Sequence, residues 1–559
     1  MSQDTPIAKL RNHYRQLRNE QQTWLPFWRD ARDYVAPQRG RSLGVTSANE
    51  TNNGGISDAK RINGVASRAL GVLASGMQSG LTSKARQWFL LNHPDPALNR
   101  FKPVREWYDL VQEVLERIFR RSNIYSAFLH TYNEMALFGQ GAVALLDHPD
   151  RVLHCRPYTT GTYCISTDVY GDVDCFFHTE FLTLRQLADA FGKENLPDDL
   201  RENYDNGRYE TKHEVVNAIL KHPEVYGLKA SERLPVASVH FLAKCQENKD
   251  KFLRQSGYRS FPVMTPRWDV IDNDVYGWCP TRDVIGDVRM LQNMEADTLK
   301  GVKKSVSPPM RIPPELSRKG LNTQPNALNV VTAMNEHAVA PLYAANLNVQ
   351  QLQMKVTAIE ENIRDGYFNS LFLALLSQDN PQMTAREVAE RHEEKLLMLG
   401  PVLERIHTEL LDPVIDRAFI IAWDAGLIPP PPPELEGEPT QVEYVSILSQ
   451  AQKAVGVNRI EQSLAFLSSL AQIYPEVRNT LDPVKTYQEY NNMIGVRSGI
   501  FRSEEEYQKL TQQEQQAAQA QQAAAVGESV SNSVRNLGDT DMANVQELLA
   551  GGNAGGLVL

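Results

Sequence analysis

Residues 382–401 read QMTAREVAERHEEKLLMLGP, and the reading of this stretch decides what kind of molecule the chain builds. His392 and Glu393 open the pattern H-E-x-x-H, in which two histidines one helical turn apart share a zinc ion and the glutamate acts as base. The second histidine position is Leu396, and the next histidine, His407, lies fifteen residues beyond His392. The metal reading fails there. What remains is architecture. Thr384 and Glu387 form a T-x-x-E capping box. Val388, His392, Leu396, Leu399, Leu403, Ile406 and Leu410 follow at steps of three and four, the spacing of one apolar helix face. At 1.5 Å per residue this predicts a rod of ~40 Å. A kink is expected at Pro401, inside the rod, with a second proline at Pro413. His392 then packs and does not ligate.

The rest of the chain is as poor in catalytic signals. It has 559 residues, with 58 lysines and arginines against 68 aspartates and glutamates, a net charge of −10. That balance excludes a polycation that coats nucleic acid by bulk attraction, so any DNA contact must be local. Cys155, Cys164, Cys175, Cys245 and Cys279 form no C-x-x-C pair and read as reduced thiols. No G-x-x-x-x-G-K-[ST] cradle is present, and ASGMQSG lacks the G-x-S-x-G order of a nucleophile elbow. Asp168, Asp172, Asp174, Asp272 and Asp274 stand at turn-like places where aspartate is common. No catalytic residue, metal site or cofactor is expected. The polar N-terminus and the lack of a long apolar run predict a chain without membrane insertion.

Periodicity predicts an α+β chain that is predominantly helical. Residues 7–35 read as helix broken near Pro26, with Trp24, Phe27 and Trp28 as anchors. A second helix is expected from Ser57 as N-cap, with Ile62, Ala66, Ala69, Leu73 and Met77 on one stripe and small residues suited to close packing. Helices continue through VREWYDLVQEVLERIFRRS and YSAFLHTYNEMALFGQGAVALL. Alternation then predicts strands, with a hairpin turn at Tyr170–Asp172 and a Thr183/Gln186 capping box after it. Further strands are expected at ASVHFLAK and FPVMTPRWDVI. Residues 283–304 and 346–372 read as helices flanking a proline-rich excursion, 305–345. Helix 283–304 ends in Lys300, Lys303 and Lys304, which suit its C-terminal dipole or a phosphate. Arg117, Arg120 and Arg121 read as a solvated face. Five prolines, Pro429–Pro433, form a stiff spacer. Helices are expected to resume at Val442, before a Gln/Ala run and a glycine-rich end.

Four blocks in this order resemble the portal, or head-to-tail connector, proteins of short-tailed double-stranded-DNA phages. They are SGLTSKARQWFLL, DVYGDVDCFFHTEFLTLRQLADAFG, PRWDVIDNDVYGWCPTRDVIGDVRMLQNM, and the opening stretch continued through LERIHTELLDPVIDRAF. The resemblance covers roughly residues 5–510. It implies a portal-type subunit of a ring, usually a dodecamer, at one capsid vertex, around a channel for DNA packaging and ejection. By segment it implies an N-terminal arm (1–49), a wing (50–270 and 384–424), stem helices (271–304 and 346–374), a clip (305–345), a spacer (425–441), a crown (442–525) and a disordered tail (526–559). Residues 375–383 would be the tunnel loop, with Ser377, Gln378, Asp379 and Asn380 facing DNA alongside Lys300, Lys303 and Lys304. Implied partners are terminase, the tail adaptor, major capsid and scaffold proteins and internal ejection proteins; the host cytoplasm is the place of assembly. The rival readings are a tail-hub or minor capsid protein, and a metal-dependent hydrolase built on His392 and Glu393.

Overall fold

The computed structural model describes residues 5–43, 60–95, 98, 101–244, 251–306, 310–311, 322, 340–341, 349–376, 398–435, 441–444, 463–470, 474 and 486. The chain divides into two units, Met1–Ile494 and Gly495–Leu559, and every described residue belongs to the first.

Helix α1 (Pro6–Gln21) is capped by Thr5 and α2 covers Leu25–Tyr34. Their break precedes Pro26 because a proline in the first helical turn gives up no intrahelical hydrogen bond. Trp28 is fully buried and its indole N–H donates to the Phe138 carbonyl at 3.1 Å. The next helix, α3 (Val65–Leu81), starts later than expected, with Gly64 in the cap position and the Asn63 side chain accepting from Val65 N at 2.9 Å. Asn-Gly competes with the helix for backbone partners, so Ile62 stays outside the helix and is exposed; Ser57, the expected cap, lies outside the described residues. Ala66, Ala69, Leu73 and Met77 are buried as their spacing predicts.

After β1 (Phe89–Asn92), α4 (Lys102–Arg121) and α5 (Ile124–Phe138), the expected helix through GQGAVALL gives way to strand β2 (Ala142–His148). Gly139 ends α5 in the left-handed region at φ 93°, and its backbone approaches Gly277 so closely that a side chain there would overlap the Gly277 carbonyl. Strand β2 lies between β3 (Val152–Tyr158) and β9 (Val263–Met264). Only Val263–Met264 of FPVMTPRWDVI is a named strand; Arg267 and Asp269 make isolated bridges.

A five-stranded antiparallel sheet runs in chain order through β4 (Tyr163–Thr167), β5 (Val173–Thr183), β6 (Lys212–Leu220), β7 (Val236–Leu242) and β8 (Arg254–Tyr258). Ile7, Leu10, Tyr14 and Leu17 of α1 share a core with Phe177, Val216, Val239 and Phe241 of this sheet. The β4–β5 turn falls where expected, with Gly171 at φ 86°. Both capping-box bonds of Thr183 and Gln186 open α6 (Leu184–Phe191), which is followed by α7 (Asp198–Asp205).

Helix α8 spans Pro280–Val306; two-residue strands β10 (Met310–Arg311) and β11 (Ala340–Pro341) pair antiparallel within the excursion that follows. The helix expected over 346–372 is two: α9 (Val349–Gly366) and α10 (Asn369–Leu376), separated at Phe368 with φ 54°. Tertiary contacts outcompete helix continuation there, since the buried Tyr367 hydroxyl pairs with Thr281 at 2.7 Å and Gly366 lies against Val284. Packing is close on α3 too, where a Cβ on Gly76 would overlap Phe372.

Of the opening rod, the capping box, Val388, His392 and Leu396 lie outside the described residues. Helix α11 (398–406) runs through Pro401 without interruption. The irregularity is a π turn at His407–Leu411, directly before α12 (Asp412–Asp424). A wide turn relieves the clash of the Pro413 ring with the carbonyl four residues back. Leu399, Leu403, Ile406 and Leu410 are buried, in one core that reaches from Trp28 to Leu435. Trp107 donates its indole N–H to the Pro429 carbonyl at 3.0 Å, fastening the proline segment. Strand β12 (Gln441–Tyr444) then pairs antiparallel with β1, where a helix is expected from Val442. The alternation of Gln-Val-Glu-Tyr and an available strand edge decide for pairing. Helix appears again at 463–470.

Candidate DNA-channel site

Three ties make α8 and α9 an antiparallel pair. Thr281 meets Tyr367, Val284 meets Gly366, and Asn63 donates its amide hydrogens to Glu295 Oε1 (3.1 Å) and Glu360 Oε1 (2.9 Å). The Gln292 side chain adds a clasp, accepting from Ile62 N (2.6 Å) and Asn63 N (2.8 Å) while donating to Asn63 O (2.8 Å). Val284, Val288, Leu291 and Gln292 of α8 are buried, as are Ile359 and Ile363 of α9. Past Gln292 on α8, and before Ile359 on α9, none of the described residues is buried. The far end of the pair therefore projects from the core.

That far end carries the predicted lysines. Lys300, Lys303 and Lys304 are exposed, and Lys300 Nζ lies 3.2 Å from Asp297. Residues 298–306 and 349–359 contain no acidic residue. The antiparallel register brings exposed Lys355 of α9 level with Lys300, a fourth cation that linear reading missed because it depends on how two distant helices pair. Surface ion pairs are worth little, so the Asp297 contact leaves this end attractive to phosphate. Leu299, Val302, Val306 and Met354 are exposed on the same segment, apolar surface beyond what a solvated helix pair needs.

Ser377, Gln378, Asp379 and Asn380 lie outside the described residues. Their approach is described: α10 is anchored by buried Leu371 and Phe372. Arg117 and Arg120 pair with Glu113 and Glu116 one turn away, the solvated face expected of them. The Asp168 carboxylate accepts from Tyr170 N (2.8 Å) and Asp172 N (3.0 Å), and Asp174 accepts from the Ser166 hydroxyl (2.6 Å). Among the described residues, no three His, Cys, Asp or Glu side chains cluster to hold a metal. Cys155, Cys164, Cys175 and Cys279 are buried free thiols, each pushed up to about 12 by burial and so unreactive at neutral pH. One buried charge pair had no signal in the sequence: Arg267 Nη2 meets Glu409 Oε1 at 2.7 Å, tying the π turn to the sheet region.

The family model for the bacteriophage head to tail connecting protein matches residues 8–501. The chain belongs to this family. It is 32% identical to the portal protein of Salmonella phage epsilon15 over 558 residues, covering 99% of both chains. It is 33% identical to the probable portal protein of Bordetella phage BPP-1 over 543 residues, covering 97% of both. A chain from the neck of an empty GTA particle, at 11% identity and TM-score 0.34, is similar over 73% of this chain and 86% of that one. The mixture of helix and sheet is thus that of a portal, or head-to-tail connector, subunit, a structural part of the phage particle. No helix among the described residues of this connector is long and apolar enough to cross a membrane.

Proposed function

We propose that this connector subunit closes with copies of itself, twelve by the family resemblance, into a ring at one capsid vertex, and that double-stranded DNA passes through its channel on packaging and ejection. The projecting α8–α9 pair carries the reading. Its far end combines four lysines, one of them paired with Asp297, and exposed apolar side chains, surface for a phosphate backbone on one side and a sister subunit on another. An overall charge of −10 suits a wall along which DNA slides, since tight phosphate binding would hold it.

In this reading residues 50–270 and 384–424 form the wing, 271–304 and 346–374 the stem, 305–345 the clip and 442–525 the crown. Residues 1–49 are the arm, 425–441 the spacer and 526–559 the tail. The clip docks terminase during packaging and the tail adaptor afterwards, while capsid, scaffold and ejection proteins meet the ring elsewhere. Ser377, Gln378, Asp379 and Asn380 form the tunnel loop, polar enough to touch DNA without gripping bases. The role is structural, with chemistry left to a separate motor. Negative-stain electron microscopy of the purified chain tests this: rings with a central hole are expected. A monomer under all conditions, scaffold protein included, refutes it.

A further inference from the structure

The β4–β5 turn and one wall of α12 carry features that the channel does not use. At the turn Val169 and Tyr170 are 96% and 89% exposed. Their mount is rigid. Asp168 accepts from two backbone amides of the turn, Gly171 N bonds Asp168 O at 3.1 Å, and the Gly171 carbonyl accepts from buried Arg267 Nη2 at 2.8 Å. Arg267 is bound in turn to Glu409. With the backbone beneath them fixed, Val169 and Tyr170 have only their own side-chain freedom to lose when they enter a partner.

Farther along the same helix lies an open cavity of about 350 Å³, walled by Trp107, Phe419, Ile420, Trp423, Pro431 and Leu435. The Arg259–Asp424 ion pair stands at its rim, and Trp423 is 40% exposed. Phe419 and Trp423 are ten to fourteen residues beyond Glu409, ~15–20 Å along the helix. One element therefore sets the spacing of knob and cavity.

A closed ring needs two different, mutually complementary surfaces on every subunit, since each copy meets its two neighbours through different faces. We propose that Val169 and Tyr170 of one subunit insert into the Trp107–Phe419–Trp423 cavity of the adjacent copy. The proposal rests on the ring reading above. Chemistry favours a second copy as occupant: an aromatic and a β-branched side chain meet aromatic walls, and the tyrosine hydroxyl meets the Arg259–Asp424 pair. Tyrosine and tryptophan are also the residues that concentrate binding energy at interfaces.

The test compares wild type, Tyr170→Asp, Trp423→Ala, the pair Tyr170→Cys with Ile420→Cys, and each single cysteine variant. Native mass spectrometry over a dilution series reads assembly, circular dichroism reads folding, and non-reducing gels read cross-links after mild oxidation. Tyr170→Asp and Trp423→Ala should each raise the concentration for half-assembly by roughly tenfold or more, with folded subunits. The cysteine pair should give a ladder of covalent multimers that neither single variant gives. Wild-type assembly by Tyr170→Asp overturns the proposal, as does a cysteine-pair ring without a ladder. If Tyr170→Asp rings form normally but fail to capture another particle component, the knob docks there and the proposal falls. A wild-type chain that never forms rings fails at the earlier step, the ring itself, and is recognised by that control.

Discussion

Replacing Glu409 by alanine probes how the long helix is held. Its carboxylate accepts from Arg267 N (2.8 Å), Nε (3.3 Å) and Nη2 (2.7 Å), and from Arg405 Nη1 (3.1 Å). The Arg267 side chain is 4% exposed and that of Arg405 31%. Removing the carboxylate strands the Arg267 guanidinium in the core with the Gly171 carbonyl as its remaining acceptor of those named. Breaking a buried pair from one side costs about 3–5 kcal/mol. Adding three charge-assisted bonds at about 1.5–3 kcal/mol each would count the same desolvation repeatedly. Arg405 stays hydrated and adds less than about 1 kcal/mol. Urea unfolding of dilute subunits, followed by tryptophan emission (Trp268 adjoins Arg267), should therefore show a loss of about 3–5 kcal/mol. The double variant Arg267→Leu/Glu409→Leu, which leaves no stranded charge, should lose less than Glu409→Ala alone. A single-variant loss below about 1 kcal/mol, or a double variant worse than the single, refutes the argument.

Further outcomes follow from other sites. Converting Lys300, Lys303, Lys304 and Lys355 to glutamine should leave ring assembly intact and reduce DNA packaged per particle; unchanged packaging discards their channel role. Burial, reinforced by Arg254, pushes His240 down to about 4. Unfolded histidine binds its proton near 6.5 and the folded side chain only near 4, so stability present above pH 6.5 is lost as pH falls toward 4. His240→Gln should reduce the slope of melting temperature against pH in that window, leaving the part that comes from His13, His130, His178 and His213, which burial also lowers. Gly139→Ala combines φ 93° with overlap of the Gly277 carbonyl, and should abolish soluble folded protein, whereas Gly171→Ala, with open space around it, should lose only about 1 kcal/mol.

Signals confined to one turn of chain were legible. The Thr183/Gln186 box, the Gly171 turn and the burial of Leu399, Leu403, Ile406 and Leu410 all follow from spacing alone. Where a distant partner decides, local reading failed. Phe368 breaks a helix because Tyr367 must reach Thr281, and Val442 joins a strand because Phe89–Asn92 offers an edge. Pro401 stays inside a helix while Pro413 coincides with a widened turn, a choice depending on the partners of Glu409. For the candidate site, the lysines of α8 could be picked out by composition. Lys355 could not, since its place beside them exists only once α8 and α9 pair.

The π turn at His407–Leu411 has a meaning for the helix as a piece of geometry. An α-helix advances by about 100° per residue, so one surplus residue rotates everything after it by more than a quarter of a revolution relative to everything before. In an unbroken spiral the buried set Leu411, Val414, Ile415, Ala418 and Ala422 would lie about 100° round from Leu399, Leu403, Ile406 and Leu410; the surplus residue cancels that offset, so both stripes face one core. Length here encodes angle.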